Sequence, residues 1–96
     1  MKTYKIQGSL ISDWPTFHNH CKSVMNFPAH YGQNMNAWID CVDDLTSELT
    51  LIEIVDGDQL RERVPEILSD ILECAAFVNF RKTEIGEPPT LMISMA

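Results

Sequence analysis

Positive charge is scarce in this sequence: seven Lys and Arg stand against 14 Asp and Glu, a formal net charge of −7 over 96 residues. The seven are scattered from Lys2 to Lys82, and none falls between Lys22 and Arg61. Phosphate contacts need clustered Lys and Arg, so direct binding of nucleic acid is not expected. Long apolar runs are also missing. A stretch such as Cys74-Ala75-Ala76-Phe77-Val78 falls far short of the roughly 20 residues that span a bilayer, so no membrane segment is expected. MKTYKIQGSL at the N-terminus has two lysines but neither an apolar run nor a small-residue cleavage site. It does not read as a signal peptide, and the cytoplasm is the expected location. The three cysteines, Cys21, Cys41 and Cys74, are odd in number and sit in periodic segments, which suits reduced, packed thiols. No CxxC, HxxxH or HExxH occurs, and His18-Asn19-His20-Cys21 fans its donors around a helix, so neither a metal nor another cofactor is expected. Repeats, low-complexity tracts and linkers are absent as well, which leaves one domain over residues 1–96.

What is present is ordinary globular composition, 45% hydrophobic and 22% charged, enough to build a small core without staples. KTYKIQ at 2–7 alternates as a half-buried strand does and ends at Gly8. Ser12 and Asp13 are capping residue types, Pro15 suits a first turn, and Trp14, Phe17, Cys21 and Val24 recur at helical spacing, predicting a helix over about 13–26. A second helix opens near Gln33. Its Met35, Trp38, Ile39, Val42 and Leu45 fall within an arc of about 120°, with Asn36, Asp40, Asp43 and Asp44 opposite. LTLIEIV at 49–55 reads as a buried central strand. Asp58 can cap a short helix over 59–63. Pro65 then starts a longer one with Val64, Ile67, Leu68, Ile71, Leu72, Ala75 and Val78 as its core stripe. TLMISM at 90–95 is a last strand with no charge, expected inside the sheet or covered. Strands separated by helical crossovers pair in parallel. The expected fold class is therefore α/β: a three-stranded parallel sheet packed with about four helices, mainly on one face.

The acidic helix is the feature that asks for explanation. Asp40 and Asp44 stand at i, i+4, a like-charge spacing that costs a helix a few tenths of a kcal/mol, and the segment offers no Lys or Arg to offset it. A solvated face is the plain reading; a cationic partner is the sharper one. An enzyme working through these carboxylates would need a cleft that separates their pKa values, which an exposed helix face does not provide. A Cys–His nucleophilic pair would need Cys41 exposed beside a base, yet Cys41 sits at the margin of the apolar arc. His18 and His20 read as surface histidines, and His30 and Tyr31 sit on a structured loop leading into the acidic helix. Aromatic rings beside Arg-pairing carboxylates are interface chemistry.

The segment FPAHYGQNMNAWIDC, residues 27–41, resembles the signature of the barstar family of bacterial ribonuclease inhibitors, with Pro28, Tyr31, Gly32, Asn34, Ala37, Asp40 and Cys41 at the family's spacing. Elsewhere the likeness is in the order and length of elements. The resemblance implies a barstar-like domain and a non-enzymatic intracellular inhibitor. In this family an acidic helix and its preceding loop enter the active site of a secreted basic ribonuclease. Asp40 matches the Asp that occupies the substrate-phosphate site. His30 stands at the place of an interface Tyr, and Glu73 at that of a later acid. Asn36 replaces a family Asp and Ile39 a family Trp, which points away from barnase itself and toward another ribonuclease or nuclease toxin with a related cationic site. The expected partner-binding set is His30, Tyr31, Asn34, Asn36, Ile39, Asp40, Asp43, Asp44 and Glu73, in an antitoxin or immunity role. The alternative is a regulatory or immunity-type module whose partner is not a barnase-like nuclease.

Overall fold

The computed structural model describes every residue, Met1–Ala96. Its elements run β1 (Lys2–Gln7), a 3-10 turn (Gly8–Leu10), α1 (Trp14–Met25), α2 (Met35–Leu45), β2 (Thr50–Val55), α3 (Gly57–Arg63), α4 (Pro65–Glu84) and β3 (Leu91–Met95). The three strands form a wholly parallel sheet in the order β1-β2-β3, with Tyr4 opposite Ile52 and Ile52 opposite Ile93. One face, carrying Ile6, Ile52, Ile54 and Leu91, is buried. On the other, Thr3, Lys5 and Met92 are exposed, and Lys5 pairs in register with Glu53.

Local chemistry sets the ends of the elements. Asp13 caps α1 by accepting from the Thr16 amide at 2.9 Å, and the Thr16 hydroxyl oxygen accepts from the Asp13 amide at 3.1 Å, a reciprocal capping box. Asn34 caps α2 by accepting from the Ala37 amide at 2.8 Å. The short α3 begins after Asp56, not at Asp58: Asp56 takes a left-handed conformation (φ 55°) as the chain leaves β2, which leaves Asp58 in the first turn. Where β1 ends, Gly8 lies against the backbone that follows β2, and a Cβ there would meet the Asp56 carbonyl oxygen at 2.7 Å and that of Val55 at 2.9 Å.

Two sequence expectations are corrected here, for Leu72 and His18, and a third is narrowed. Leu72 was assigned to the core stripe of α4 but is 47% exposed, because it lies about 40° beyond Leu68 at the stripe's edge; Cys74 is buried in its stead. Of the two places expected for the uncharged β3, inside the sheet or covered, it takes the second: it is an edge strand covered from α4. Its exposed side is guarded from α4, where the Asn79 side chain donates to the Leu91 carbonyl and accepts from the Leu91 amide, each at 3.0 Å, imitating a neighbouring strand. His20 guards the far edge similarly, its Nε2 accepting from the Gln7 amide at 2.9 Å. His18, expected at the surface, is 4% exposed.

Burial holds both His18 and His20 below the ordinary value of 6.5. The unfolded chain therefore takes up protons near that pH that the folded chain does not. Stability is complete above pH 6.5 and declines as pH falls through 6.5 toward the lower folded-state values. Denaturant midpoints measured from pH 7.5 to 5 should show the decline, and His20→Gln, which keeps an acceptor without a titrating ring, should reduce it to the share of His18. Gly8→Ala, which drives a methyl into backbone rather than into a movable side chain, should cost about 1–3 kcal/mol in the same assay.

Candidate functional site

The loop ahead of α2 is built from residues that pin it, not from residues that hang free. Phe27 and Tyr31 are both buried, their ring centroids 4.8 Å apart. The Tyr31 hydroxyl hydrogen-bonds Nδ1 of the buried His18 on α1, and burial pushes the Tyr31 phenol above its ordinary value of 10. Gln33, in a left-handed conformation, donates from its side chain to the Asn19 side-chain oxygen on α1 at 3.1 Å. Asn34 adds a bond to the Gly32 carbonyl at 3.2 Å alongside its capping role. The segment is thereby fixed to α1, with His30 exposed beside the buried Tyr31.

On α2 the apolar arc is buried through Trp38, Ile39 and Val42, and the helix packs chiefly on α4. Asn36, Asp40 and Asp44 are exposed, and Asp43 is half-buried. The acidic face is not free of counter-charge. Arg81 of α4 donates from Nη1 to Oδ1 of Asp40 at 2.9 Å and lies 3.7 Å from Oδ2 of Asp43. Lys82, whose stem is buried, reaches Oδ1 of Asp43 at 3.3 Å. The Asp40 side chain remains 68% exposed, and its Oδ2 makes no hydrogen bond within the chain. Along the outer side of α4, Glu73, Ala76, Phe77 and Phe80 line a shallow groove, and both Phe rings are about half exposed.

The nine residues singled out from sequence thus divide. His30, Asn36, Asp40, Asp44 and Glu73 are exposed, and Asp43 is reachable. The Tyr31 and Ile39 side chains lie in the core, at 6% and 8% exposure, and not on the outer face with the others. For Ile39 the reason is helical phase, which puts it with Trp38 and Val42; for Tyr31 it is the bond to His18. Asn34 spends its side-chain oxygen as a helix cap. Arg81 and Lys82 were missed. The α2 segment itself supplies no cation against the Asp40/Asp44 repulsion, but α4 does: Asp40 has a cation 41 residues along the chain, and only Asp44 is left without one. Two adjacent basic residues in the last turn of α4 are the sole sequence signal for this.

The remaining chemistry is quiet. No three His, Cys, Asp or Glu side chains converge as metal ligands. Burial pushes the Cys21 thiol up to about 12. Burial, aided by Asp44 and Asp40, raises Cys41, so neither is a ready thiolate. What the arrangement offers is recognition: an exposed carboxylate on a packed helix with one oxygen on a guanidinium and the other open, a geometry suited to charge-assisted hydrogen bonds from Arg or Lys.

No helix is long and apolar enough to cross a membrane. No curated protein matches the chain. The family model described as Barstar (barnase inhibitor) matches residues 1–93, covering the whole of α2 and reaching into β3, and the chain belongs to the barstar family.

Proposed function

We propose that this protein inhibits a ribonuclease by seating the Asp40 face of α2, with the loop before it, in the enzyme's active site. The observation that carries the reading is the Asp40 carboxylate: exposed, on a helix held by the core, and engaging a guanidinium at 2.9 Å, in a chain of a family described as barnase inhibitors. An enzyme that cleaves RNA must hold a phosphodiester and therefore gathers cations at its active site. A carboxylate placed there accepts the charge-assisted hydrogen bonds meant for phosphate, and the helix behind it excludes the substrate. His30, Asn36, Asp44 and Glu73 are the exposed residues that would border this contact. Tyr31, Asn34 and Ile39 serve it indirectly, by fixing the loop, the start and the inner face of α2. The role this implies is protection of a cell from a nuclease toxin, with no catalysis by the inhibitor.

Two outcomes are expected against a panel of basic ribonucleases, barnase among them. Inhibition of RNA hydrolysis should identify a target, and Asp40→Ala should weaken binding to it by about 3 kcal/mol or more in calorimetry, the cost of leaving a buried cation unpaired. The melting temperature should barely move, since an exposed acid contributes less than about 0.5 kcal/mol to stability. Equal affinity of parent and variant would remove Asp40 from the mechanism, and no inhibition anywhere in the panel would favour a partner that is not a nuclease.

Association should also be steered by the net charge of −7. Stopped-flow mixing with the target is expected to show the rate falling as the Debye length shrinks from about 30 Å at 0.01 M salt to 3 Å at 1 M. A flat rate would point to a contact dominated by Phe77 and Phe80.

A further inference from the structure

The Asp40 face carries a cation of its own. Arg81 is held at 2.9 Å from Asp40 and 3.7 Å from Asp43, yet its side chain is 47% exposed, facing the same solvent that Asp40 faces. With Lys82 on Asp43, two carboxylates and two cations meet at this point, so the charges of Asp40 and Asp43 are offset locally although the chain as a whole is acidic. A guanidinium has five N–H donors. The one hydrogen bond Arg81 makes within the chain uses Nη1, which leaves its other donors to solvent. A partner that covers Asp40 also covers Arg81 and takes those donors out of solvent. Donors of a buried guanidinium left without acceptors cost free energy, and a second guanidinium brought to the same carboxylate adds like-charge repulsion.

We propose that Arg81 determines which nuclease this inhibitor accepts: held beside Asp40, it requires an acidic group on the partner face opposite it and disfavours a face that is cationic throughout. The inference rests on the inhibitor reading given above and adds to it the chemistry of the partner. The recognition surface is then of mixed sign. Asp40 takes a cation from the enzyme while Arg81 gives hydrogen bonds to a carboxylate placed next to that cation. Specificity arises from the mismatch a wrong partner suffers, because an all-cationic face must bury Arg81 without an acceptor or pull it away from Asp40.

Barnase is the probe. Inhibition constants are measured for the parent, Arg81→Ala, Arg81→Lys, Arg81→Glu and the double variant Asp40→Ala with Arg81→Ala, each first checked for an unchanged circular dichroism melt. Arg81→Ala should inhibit barnase at least about tenfold more tightly than the parent, the size of one mispaired charged hydrogen bond. Arg81→Glu should gain further, Arg81→Lys should stay near the parent because the positive charge remains, and the double variant should lose the gain. The inference is overturned if Arg81→Ala and the parent act alike on barnase, whether both inhibit or neither does, as they would if Arg81 swung freely to Glu84 or Glu87 in the adjoining groove. It is overturned equally if Arg81→Ala inhibits more weakly. Failure of the inhibitor reading looks different: the parent then inhibits no ribonuclease in the panel, whatever Arg81→Ala does to barnase.

Discussion

A sheet of three parallel strands in a chain of this length has helices for only one face, and the architecture follows from that asymmetry. The bare face survives in water because it carries Thr3, and because Lys5 stands in register with Glu53. The apolar side chains that the helices do bury then converge on the opposite face, where Phe17, Trp38, Ile67 and Ile71 are sealed against Ile52 and Ile54. The 20-residue α4 lies against β3 and also carries α2, so α2 ends up with one side in the core and the other toward solvent. Trp38 is fully buried, and anchoring of this kind is worth about 3–5 kcal/mol. The acidic face is exposed because the core has claimed the other side of the same helix.

A contact surface on a short helix is only as definite as the loop that aims it. Here the loop before α2 is tied to α1 through the buried Tyr31–His18 bond and the Gln33–Asn19 bond. Burial keeps the imidazole neutral near physiological pH, which leaves one ring nitrogen to accept from, and the other to donate to, its surroundings. Tyr31, a candidate contact in the sequence, is thus a support of the loop. Fixing that loop before binding lowers the entropy lost when a partner docks.

The order of elements was legible because each carries its own period: alternation in KTYKIQ, an unbroken apolar run in LTLIEIV, and helical recurrence from Trp14 to Val24. The acidic side of α2 was legible by the same arithmetic. Illegible were the facts created by bringing distant elements together. Leu72 looks apolar enough for the core, but only the packing angle of α4 decides that Cys74 goes in and Leu72 stays out. Tyr31 reads equally as turn or interface until His18 is found beneath it. Arg81 and Lys82 read as ordinary last-turn cations favoured by the helix dipole, and their engagement with Asp40 and Asp43 depends on α4 lying alongside α2.

Charge acts on two length scales in this molecule, and the two carry different information. At distances near the Debye length a partner meets an object of net charge −7, and that field is indifferent to the details of any one helix. Within contact distance it meets a patch where Asp40 and Asp43 are offset by Arg81 and Lys82, with Asp44 and Glu73 beyond it. In the proposed inhibitor role the first would favour any basic protein, the second only one whose charges alternate in the matching order. A wholly acidic face would strengthen both effects together and could not separate speed of encounter from choice of partner. Placing the counter-ion of Asp40 on a neighbouring helix, within the chain and at the surface, lets the long-range attraction stay general while the short-range fit becomes selective.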